Sequence, residues 1–179
     1  LASVVSEMDV LELPYLFESS EEADFILDNH LIEVFREIFA KKGIIFVSWA
    51  ENGWRSIGHK TKLIKSPADF KGLKVRSQKS RSHLAFWKGM SASPEALPIP
   101  EVLGALQTGV VEAFDNTPLF TLAAEWHTGI KFFSRTKHIY QPAVVVYSAK
   151  FWKKLSESDK KVLMGEGNKQ APGIRTAVR

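Results

Sequence analysis

The side chains that could do chemistry are scattered along this chain, and one acid–amide pair stands out among them. Asp115 and Asn116 end the apolar run of the segment GVVEAFDNTPLF, which covers residues 109–120. The Thr-Pro that follows favours the end of a strand or a tight turn. Such a pair either forms an ordinary Asx turn or brings a hydrogen-bonding side chain to a ligand, and these residues alone leave both interpretations open.

A basic block over residues 55–88 is the second candidate for a binding site. It contains ten lysines and arginines and a single acid, whereas residues 1–54 are strongly acidic. Arg55 follows the sequence ENGW, and Arg76 ends the segment LKVR. A guanidinium presents a planar fork of donors that matches a carboxylate. The alternatives are a solvated basic face, a surface charge at Arg76 and a plain loop at Arg55, or contact with a nucleic-acid backbone.

Signatures of catalysis are missing from the sequence. It contains no nucleophile elbow, no phosphate-binding P-loop, no dinucleotide-binding glycine motif and no cysteine. The five histidines show no metal-ligand spacing. We therefore expect no catalytic residue, no metal and no cofactor, and the sequence favours binding over chemistry.

Helices and strands alternate around these candidates. A helical pattern over residues 19–42 begins at Ser19, with Glu22 in capping-box spacing, is interrupted near Asp28, and ends at Gly43. One helical turn is predicted over residues 66–72. Further helices are predicted over residues 80–90, 100–109, 117–130 and 156–170, and strands over residues 44–50, 73–77, 94–99, 110–116 and 142–152.

This alternation predicts an α/β fold, because strands joined by helices pair in parallel through crossover connections. Arg76 and Asn116 each fall at the carboxyl end of a predicted strand, where ligands bind in open α/β sheets. We expect both side chains to reach one crevice. A structure that placed them on opposite faces of the sheet would contradict this hypothesis.

Five stretches, in this order and at this spacing, resemble the solute-binding proteins of tripartite ATP-independent periplasmic (TRAP) transporters. They are VLELPYLFESSEEA, KKGIIFVSWAENGWRSI, KSPADFKGLKVRS, LPIPEVLGALQTGVVEAFDN and HIYQPAVVVYSAKFWKKLSESDKKVL. The most specific are the FKGLKVR strand and the EVLGALQTGVV block that leads into Asn116. The resemblance covers nearly the whole chain.

The resemblance implies a two-lobed periplasmic binding protein architecture with mostly parallel sheets and a ligand cleft between the lobes. One lobe, incomplete, comprises residues 1–52 and 140–179, and the other comprises residues 53–139. Two crossings of the chain then form a hinge. Neither end of the sequence looks like that of a complete protein, so we expect a piece of a longer protein whose signal peptide is not included.

The family resemblance also implies a function and a set of site residues. A protein of this kind captures a small organic acid in the periplasm and delivers it to a membrane permease driven by an ion gradient. Arg76 corresponds to the arginine that pairs with the ligand carboxylate, Asn116 to the amide that completes the site, and Arg55 to a second arginine. Asp115 and Trp54 are further candidates beside them. We expect a monomer without nucleic acid.

Two features of the sequence leave alternatives to this interpretation. Lys79 and Arg81 in SQKSRS depart from the family pattern, and a ligand with a second anionic group, such as a dicarboxylate, is expected if either faces the cleft. The same α/β fold would also suit a carboxylate-sensing effector domain of a regulator, which a fused DNA-binding domain in the full gene would reveal. A nucleic-acid-binding module would instead use the basic block over residues 55–88 as a continuous exposed stripe.

Overall fold

The strands form one mixed five-stranded sheet in the computed structural model, which describes residues 4–179 apart from the side chain of Asn168. The strands are β1 (Ile44–His59), β2 (Lys74–Ser77), β3 (Ser93–Ala96), β4 (Ala113–Asn116) and β5 (Phe132–Ser148). Their order across the sheet is β3-β2-β4-β1-β5. Helices alternate with these strands, which confirms the predicted α/β class.

The α-helices of the described residues are short, with one exception at the carboxyl end. They are α1 (Ser20–Ile26), α2 (Ile32–Lys41), α3 (Arg81–Gly89), α4 (Val102–Thr108), α5 (Pro118–Ala123), α6 (Ala149–Trp152) and the long α7 (Glu157–Val178). Single 3₁₀ segments cover Ser6–Glu12, Pro67–Phe70, Ile99–Glu101 and Trp126–Gly129.

Local signals account for the bounds of the first helices. The Ser19 side chain accepts a hydrogen bond from the Glu22 backbone N–H at 3.0 Å, which caps α1. The interruption predicted near Asp28 is a π-helical stretch, Leu27–Leu31, through which α1 continues into α2. Gly43 ends α2 with φ +71°, a backbone conformation that glycine adopts without strain.

The pairing of the strands is only partly parallel. β2 pairs in parallel with both β3 and β4, as expected from the helical crossovers, whereas β1 runs antiparallel to β4. β1 is also longer than predicted, because it continues from residue 50 to His59 through Gly53, at φ +103°. The polar sequence of that second half gives no strand signal, so only pairing with β4 in the tertiary structure reveals it.

The bounds predicted for the last strand, residues 142–152, are wrong at both ends. β5 begins at Phe132, ten residues before the predicted start, and it ends at Ser148. The Ser148 side chain then accepts from the Phe151 backbone N–H at 3.1 Å and starts the short helix α6. The cap overrides the strand propensity of the aromatic residues that follow it.

The chain divides into two compact units. Unit 1 comprises the residues up to Met8, Phe17–Asn52 and Gln141–Arg179, and unit 2 comprises Asp9–Leu16 and Gly53–Tyr140. β1 and β5 each pass from one unit to the other along the chain. That these units act as the lobes of a binding protein stays a prediction.

Each face of the sheet in unit 2 has its own apolar core. Val75 and Ala113, which are in register on β2 and β4, pack with Trp87 of α3 on one face. Phe114 points to the opposite face, as the alternation of side chains along a strand requires, and packs there with Leu106 of α4. Polar side chains at the carboxyl ends of β2 and β4 are therefore held between two packed layers.

Candidate functional site

Arg76 and Asn116 lie on the same face of the sheet. Arg76 is in register with Phe114 across the parallel β2–β4 pair, and Asn116 lies two residues further along β4. Residues in register point to one face, and so do residues two apart on a strand. The condition set for the binding hypothesis is met, although the role of either residue in ligand binding stays a prediction.

Arg76 is 4% exposed, and neutral groups hold its guanidinium in place. Its Nε and Nη2 donate to the Leu97 carbonyl oxygen at 3.1 and 2.9 Å, and its Cζ lies 5.1 Å from the ring centroid of Trp126. No carboxylate lies within salt-bridge distance of it among residues 4–179. Leu97 occupies the Nε–Nη2 edge of the guanidinium, and Nη1 has no hydrogen-bond partner among the described residues.

Burial makes the positive charge of Arg76 energetically unfavourable in this position. Burial lowers its pKa, the positive charge of Arg55 lowers it further, and Asp115 opposes the shift, so that the pKa is about 10. Arg76 therefore stays charged at neutral pH, but no carboxylate of residues 4–179 pairs with it as a counterion. A bound anion would relieve this electrostatic cost.

Arg55, in contrast to Arg76, is paired with a buried carboxylate, that of Asp115. Its Nε donates to Asp115 Oδ2 at 2.5 Å, its Nη2 donates to the Asp115 carbonyl oxygen at 2.6 Å, and its Nη1 lies 3.5 Å from Asn116 Oδ1. Arg55 is 1% exposed and Asp115 is fully buried. The structure thus brings three of the predicted site residues into one hydrogen-bonded group.

The electrostatics of this pair keep both groups charged. Burial alone would raise the pKa of Asp115, but the positive charge of Arg55 and the hydrogen bonds from His138 and Arg55 together outweigh burial and hold the pKa of that carboxyl well below its usual range. Burial would likewise lower the pKa of Arg55, but the charge of Asp115, the hydrogen bond to it and the charge of Glu12 together raise that pKa. The pair is therefore a fixed ionic support next to Asn116.

Hydrogen bonds to the side-chain oxygen of Asn116 orient its amide group. Oδ1 accepts from the Thr117 backbone N–H at 2.9 Å and faces Arg55 Nη1, so that both neighbours are donors. The Nδ2 group has no hydrogen-bond partner among the described residues and can donate to a ligand. Asn116 and Arg76 together thus offer only donors, which suits the acceptor oxygens of a carboxylate.

The structure places the remaining candidates less centrally. Trp54 is half-buried, and its ring packs edge-on against Tyr140 with the centroids 5.4 Å apart. Lys79 and Arg81 are both exposed, so they give no reason to expect a second anionic group on the ligand. Arg55 and Arg76 belong to the basic block but are buried, which argues against the block as a continuous exposed stripe.

Sequence reasoning missed the buried groups behind Asp115. His83 of α3 and His138 of β5 approach Asp115 Oδ2 at 3.8 and 3.5 Å, and Glu12 approaches His83 Nε2 at 3.0 Å. Neither histidine belongs to a metal-ligand motif, and Glu12 belongs to an acidic stretch that reads as solvated. No signal in the sequence joins these residues, because they come from distant parts of the chain.

Residues 4–179 contain neither a cluster of metal ligands nor a membrane-spanning helix. No group of three or more histidine, aspartate or glutamate side chains there is arranged to hold a metal ion. Within the same residues, no helix is both long enough and apolar enough to cross a membrane.

Comparisons with known proteins point to one family. The family model described as bacterial extracellular solute-binding protein, family 7, matches residues 1–172. The 2,3-diketo-L-gulonate-binding periplasmic protein YiaO of Escherichia coli is 33% identical over 145 residues, which are 80% of this chain and 44% of that protein. The chain spans about half the length of the curated relatives that it matches, from 44% to 53% among the first of them.

Solved structures agree with the family match. A TRAP periplasmic solute-binding protein from Polaromonas, bound to D-erythronate, is 32% identical with a TM-score of 0.92, over 99% of this chain and 58% of that one. Another from Sulfurospirillum deleyianum, with bound succinate, is 27% identical with a TM-score of 0.90, over 99% and 57%. These relatives are binding proteins, as expected from the missing catalytic motifs, and nothing in the comparisons supports the regulator or nucleic-acid alternatives.

Proposed function

The chain belongs to the bacterial extracellular solute-binding proteins of family 7, and from this premise we propose that it captures a small organic acid in the periplasm for a TRAP transporter. The acid would then pass to membrane permease subunits driven by an ion gradient. We expect the binding protein to act as a monomer.

The unpaired charge of Arg76 is the observation that carries this proposal. A buried guanidinium without a counterion favours an anion, and its open Nη1 end together with Asn116 Nδ2 offers donors alone. An ionised carboxylate can accept from all of them at once. An amide or ester of the same acid lacks the charge that offsets the burial of Arg76, so it should bind much more weakly.

The ligands of the relatives support the same class of compound. Succinate, D-erythronate and 2,3-diketo-L-gulonate differ in length and in hydroxylation, but each carries a carboxylate. We therefore propose that Arg76 and Asn116 bind the carboxylate of the ligand and that Arg55 and Asp115 hold Asn116 in place. Trp54 is proposed as a further contact.

The proposal includes the assignment of lobes. Residues 53–139, with Arg76 and Asn116, would form the lobe that holds the carboxylate, and residues 1–52 and 140–179 would belong to the other lobe. Closure of two lobes around a ligand excludes water and so strengthens a contact between a guanidinium and a carboxylate.

A thermal-shift screen of the full-length protein against mono- and dicarboxylates tests the proposal. A ligand that binds only the native state stabilises it by about 2.7 kcal/mol at a concentration 100 times its Kd. We expect the Arg76→Ala variant to bind the same acid at least about tenfold more weakly, because a charge-assisted hydrogen bond contributes about 1.5–3 kcal/mol. The Arg76→Lys variant should retain the charge but not the affinity.

The Lys79→Ala variant is the matched control, since it removes one positive charge three residues away from an exposed position. Its melting temperature should rise with the acid as that of the wild type does. If no acid shifts the melting temperature of the folded wild type, or if Arg76→Ala responds like Lys79→Ala, the proposed function is wrong.

A further inference from the structure

Trp126 lies at the boundary between an apolar core and the guanidinium of Arg76. It is 1% exposed and belongs to the core that Phe114 and Leu106 form on the α4 face of the sheet. The Arg76 Cζ lies over its ring, 5.1 Å from the centroid, which is within the range over which an indole face attracts a cation. Trp126 therefore contacts both the core and the group that is proposed to bind the ligand.

Two aromatic neighbours and a strained turn hold the Trp126 ring. Phe114 of β4 and Phe120 of α5 meet it edge-on, with the ring centroids 5.1 and 5.4 Å away. Glu125, the residue before it, has φ +58°, in the left-handed region that is unfavourable for a residue with a side chain. Such strain persists only where the surrounding structure imposes it. The position of the ring is thus fixed before a ligand arrives.

The hydrogen bonds of Arg76 leave one motion for the ring to restrict. Nε and Nη2 both donate to a single atom, the Leu97 carbonyl oxygen, so the planar guanidinium can still tilt about the line from that oxygen to Cζ. A ring against the face of the guanidinium opposes this tilt. The direction in which Nη1 donates is then set by Leu97 and Trp126 together.

An aromatic ring stabilises a buried positive charge differently from a carboxylate. Asp115 accepts hydrogen bonds from Arg55 and so occupies its donors. The indole face attracts the charge of Arg76 without neutralising it and without accepting a hydrogen bond in the plane of the guanidinium. The charge and the Nη1 donors of Arg76 are therefore kept for an anion.

We propose that Trp126 is a positioning residue of the carboxylate site, which fixes the plane of the Arg76 guanidinium and leaves its charge for the ligand. The inference rests on the proposed function and adds to that site a residue that need not contact the ligand. Without the ring, binding must itself immobilise a long side chain, which weakens the affinity by about three- to tenfold.

NMR relaxation of the arginine side-chain Nε–H groups in the ligand-free, full-length protein tests the positioning directly. The Arg76 signal is identified by its absence from Arg76→Lys. In the wild type we expect Arg76 Nε to be as rigid as Arg55 Nε. Arg76 Nε should become more mobile in Trp126→Met, which removes the ring, and stay rigid in Trp126→Phe, which keeps an aromatic face, whereas Arg55 Nε should stay rigid in both variants.

Isothermal titration calorimetry with D-erythronate, or with succinate where D-erythronate does not bind, measures the effect on the ligand. The Kd should rise by about three- to tenfold in Trp126→Met and stay within about twofold of the wild type in Trp126→Phe. Trp87→Met is the matched control, because it removes a buried tryptophan from the other core of unit 2. It should destabilise the fold and leave the Kd within about twofold of the wild type.

The outcomes separate the inference from the proposed function. If no acid of the thermal-shift screen binds the folded wild type, the proposed function is wrong and the inference falls with it. If an acid binds, an equal Kd for Trp126→Met and Trp87→Met, or an Arg76 Nε that is no more mobile in Trp126→Met, overturns the inference alone. If Trp126→Met does not fold, Phe120→Leu replaces it with the same expectations, because it removes a ring that braces Trp126.

Discussion

At the scale of single residues, the surroundings of two arginines separate their roles. Arg55 and Arg76 both belong to the basic block, and both are buried. Arg55 is neutralised by Asp115 within hydrogen-bond distance, whereas the groups found around Arg76 in the described part of the chain are a carbonyl oxygen and an aromatic ring. A side chain that is fixed in place but lacks a counterion is well suited to bind an anion, because little reorganisation is needed when the anion arrives.

Replacing Asp115 by Asn should destabilise the protein strongly. The substitution leaves Arg55 buried without a counterion, and breaking a buried pair in this way costs about 3–5 kcal/mol. Urea unfolding at neutral pH measures this loss. The exposed Glu101→Gln variant removes one negative charge elsewhere in unit 2 and should stay within about 0.5 kcal/mol of the wild type.

The lowered pKa of the Asp115 carboxyl predicts that the stability of the protein depends on pH. The folded-state pKa of Asp115 lies well below its ordinary value of 3.8. Its ionisation therefore stabilises the fold fully above about pH 4, and this contribution is lost as the pH falls further through the folded-state pKa. The free energy of unfolding should fall less steeply below about pH 4 in Asp115→Asn than in the wild type, and equal slopes would contradict this assignment.

At the scale of elements, the close approach of β1 and β4 next to the site depends on a residue without a side chain. Gly58 of β1 is in register with Phe114 of β4, in the segment that links Arg55 to Asn116. An added Cβ at Gly58 would lie 2.5 Å from the Phe114 ring and 2.9 Å from Ile130. The strand pair therefore leaves no room for alanine unless that core shifts.

We expect Gly58→Ala to destabilise the protein by about 1–3 kcal/mol, because overpacking forces the Phe114 ring out of its place. Chemical denaturation measures the change. Gly89→Ala, at the end of α3, is the matched control, since no atom lies within 4 Å of its added Cβ. Equal stabilities of the two variants would show that β1 and β4 tolerate the methyl group.

At the scale of the whole molecule, unit 1 is assembled from stretches that are far apart in the chain. Arg175 of α7 is buried and donates to Asp28 Oδ1 and Oδ2 at 2.7 and 2.8 Å and to Asp24 Oδ1 at 3.0 Å. These bonds join the last helix of the chain to α1 and to the π-helical stretch that follows it. The bidentate geometry is typical of the stronger arginine–carboxylate pairs.

Replacing Arg175 by Ala should lower the stability of unit 1 by about 1–3 kcal/mol, because charge-assisted bonds that are partly shielded from water are lost. Thermal unfolding should show a drop of about 2–4 °C per kcal/mol. Arg36→Ala removes only a pair with Glu33 three residues away on α2 and should change the stability by less than about 0.5 kcal/mol. An Arg175→Ala variant as stable as the wild type would contradict the role of Arg175 in stabilising unit 1.

Features of the fold that depend on signals within a few residues could be predicted well from the sequence. Ser19, Gly43 and the alternation of helices with strands led to the first helices and to the α/β class, because caps and apolar periodicity act locally. The ordered motifs also led to the solute-binding family. The bounds of β1 and β5 could not be predicted in the same way, because their polar segments are strands only through the partners that they meet.

The sequence by itself predicted that Arg76 and Asn116 lie at the carboxyl ends of strands, because strand boundaries follow from local patterns of residue types. Only the tertiary structure decided that these two strands are neighbours and pair in parallel. The tertiary structure also decided that Asp115 neutralises Arg55 and that Arg76, over a tryptophan ring, has no carboxylate partner within residues 4–179. It alone also brought Glu12 and His83 together behind that pair. These two contacts join residues 60 and 71 positions apart, and no local pattern of residue types encodes contacts over such separations.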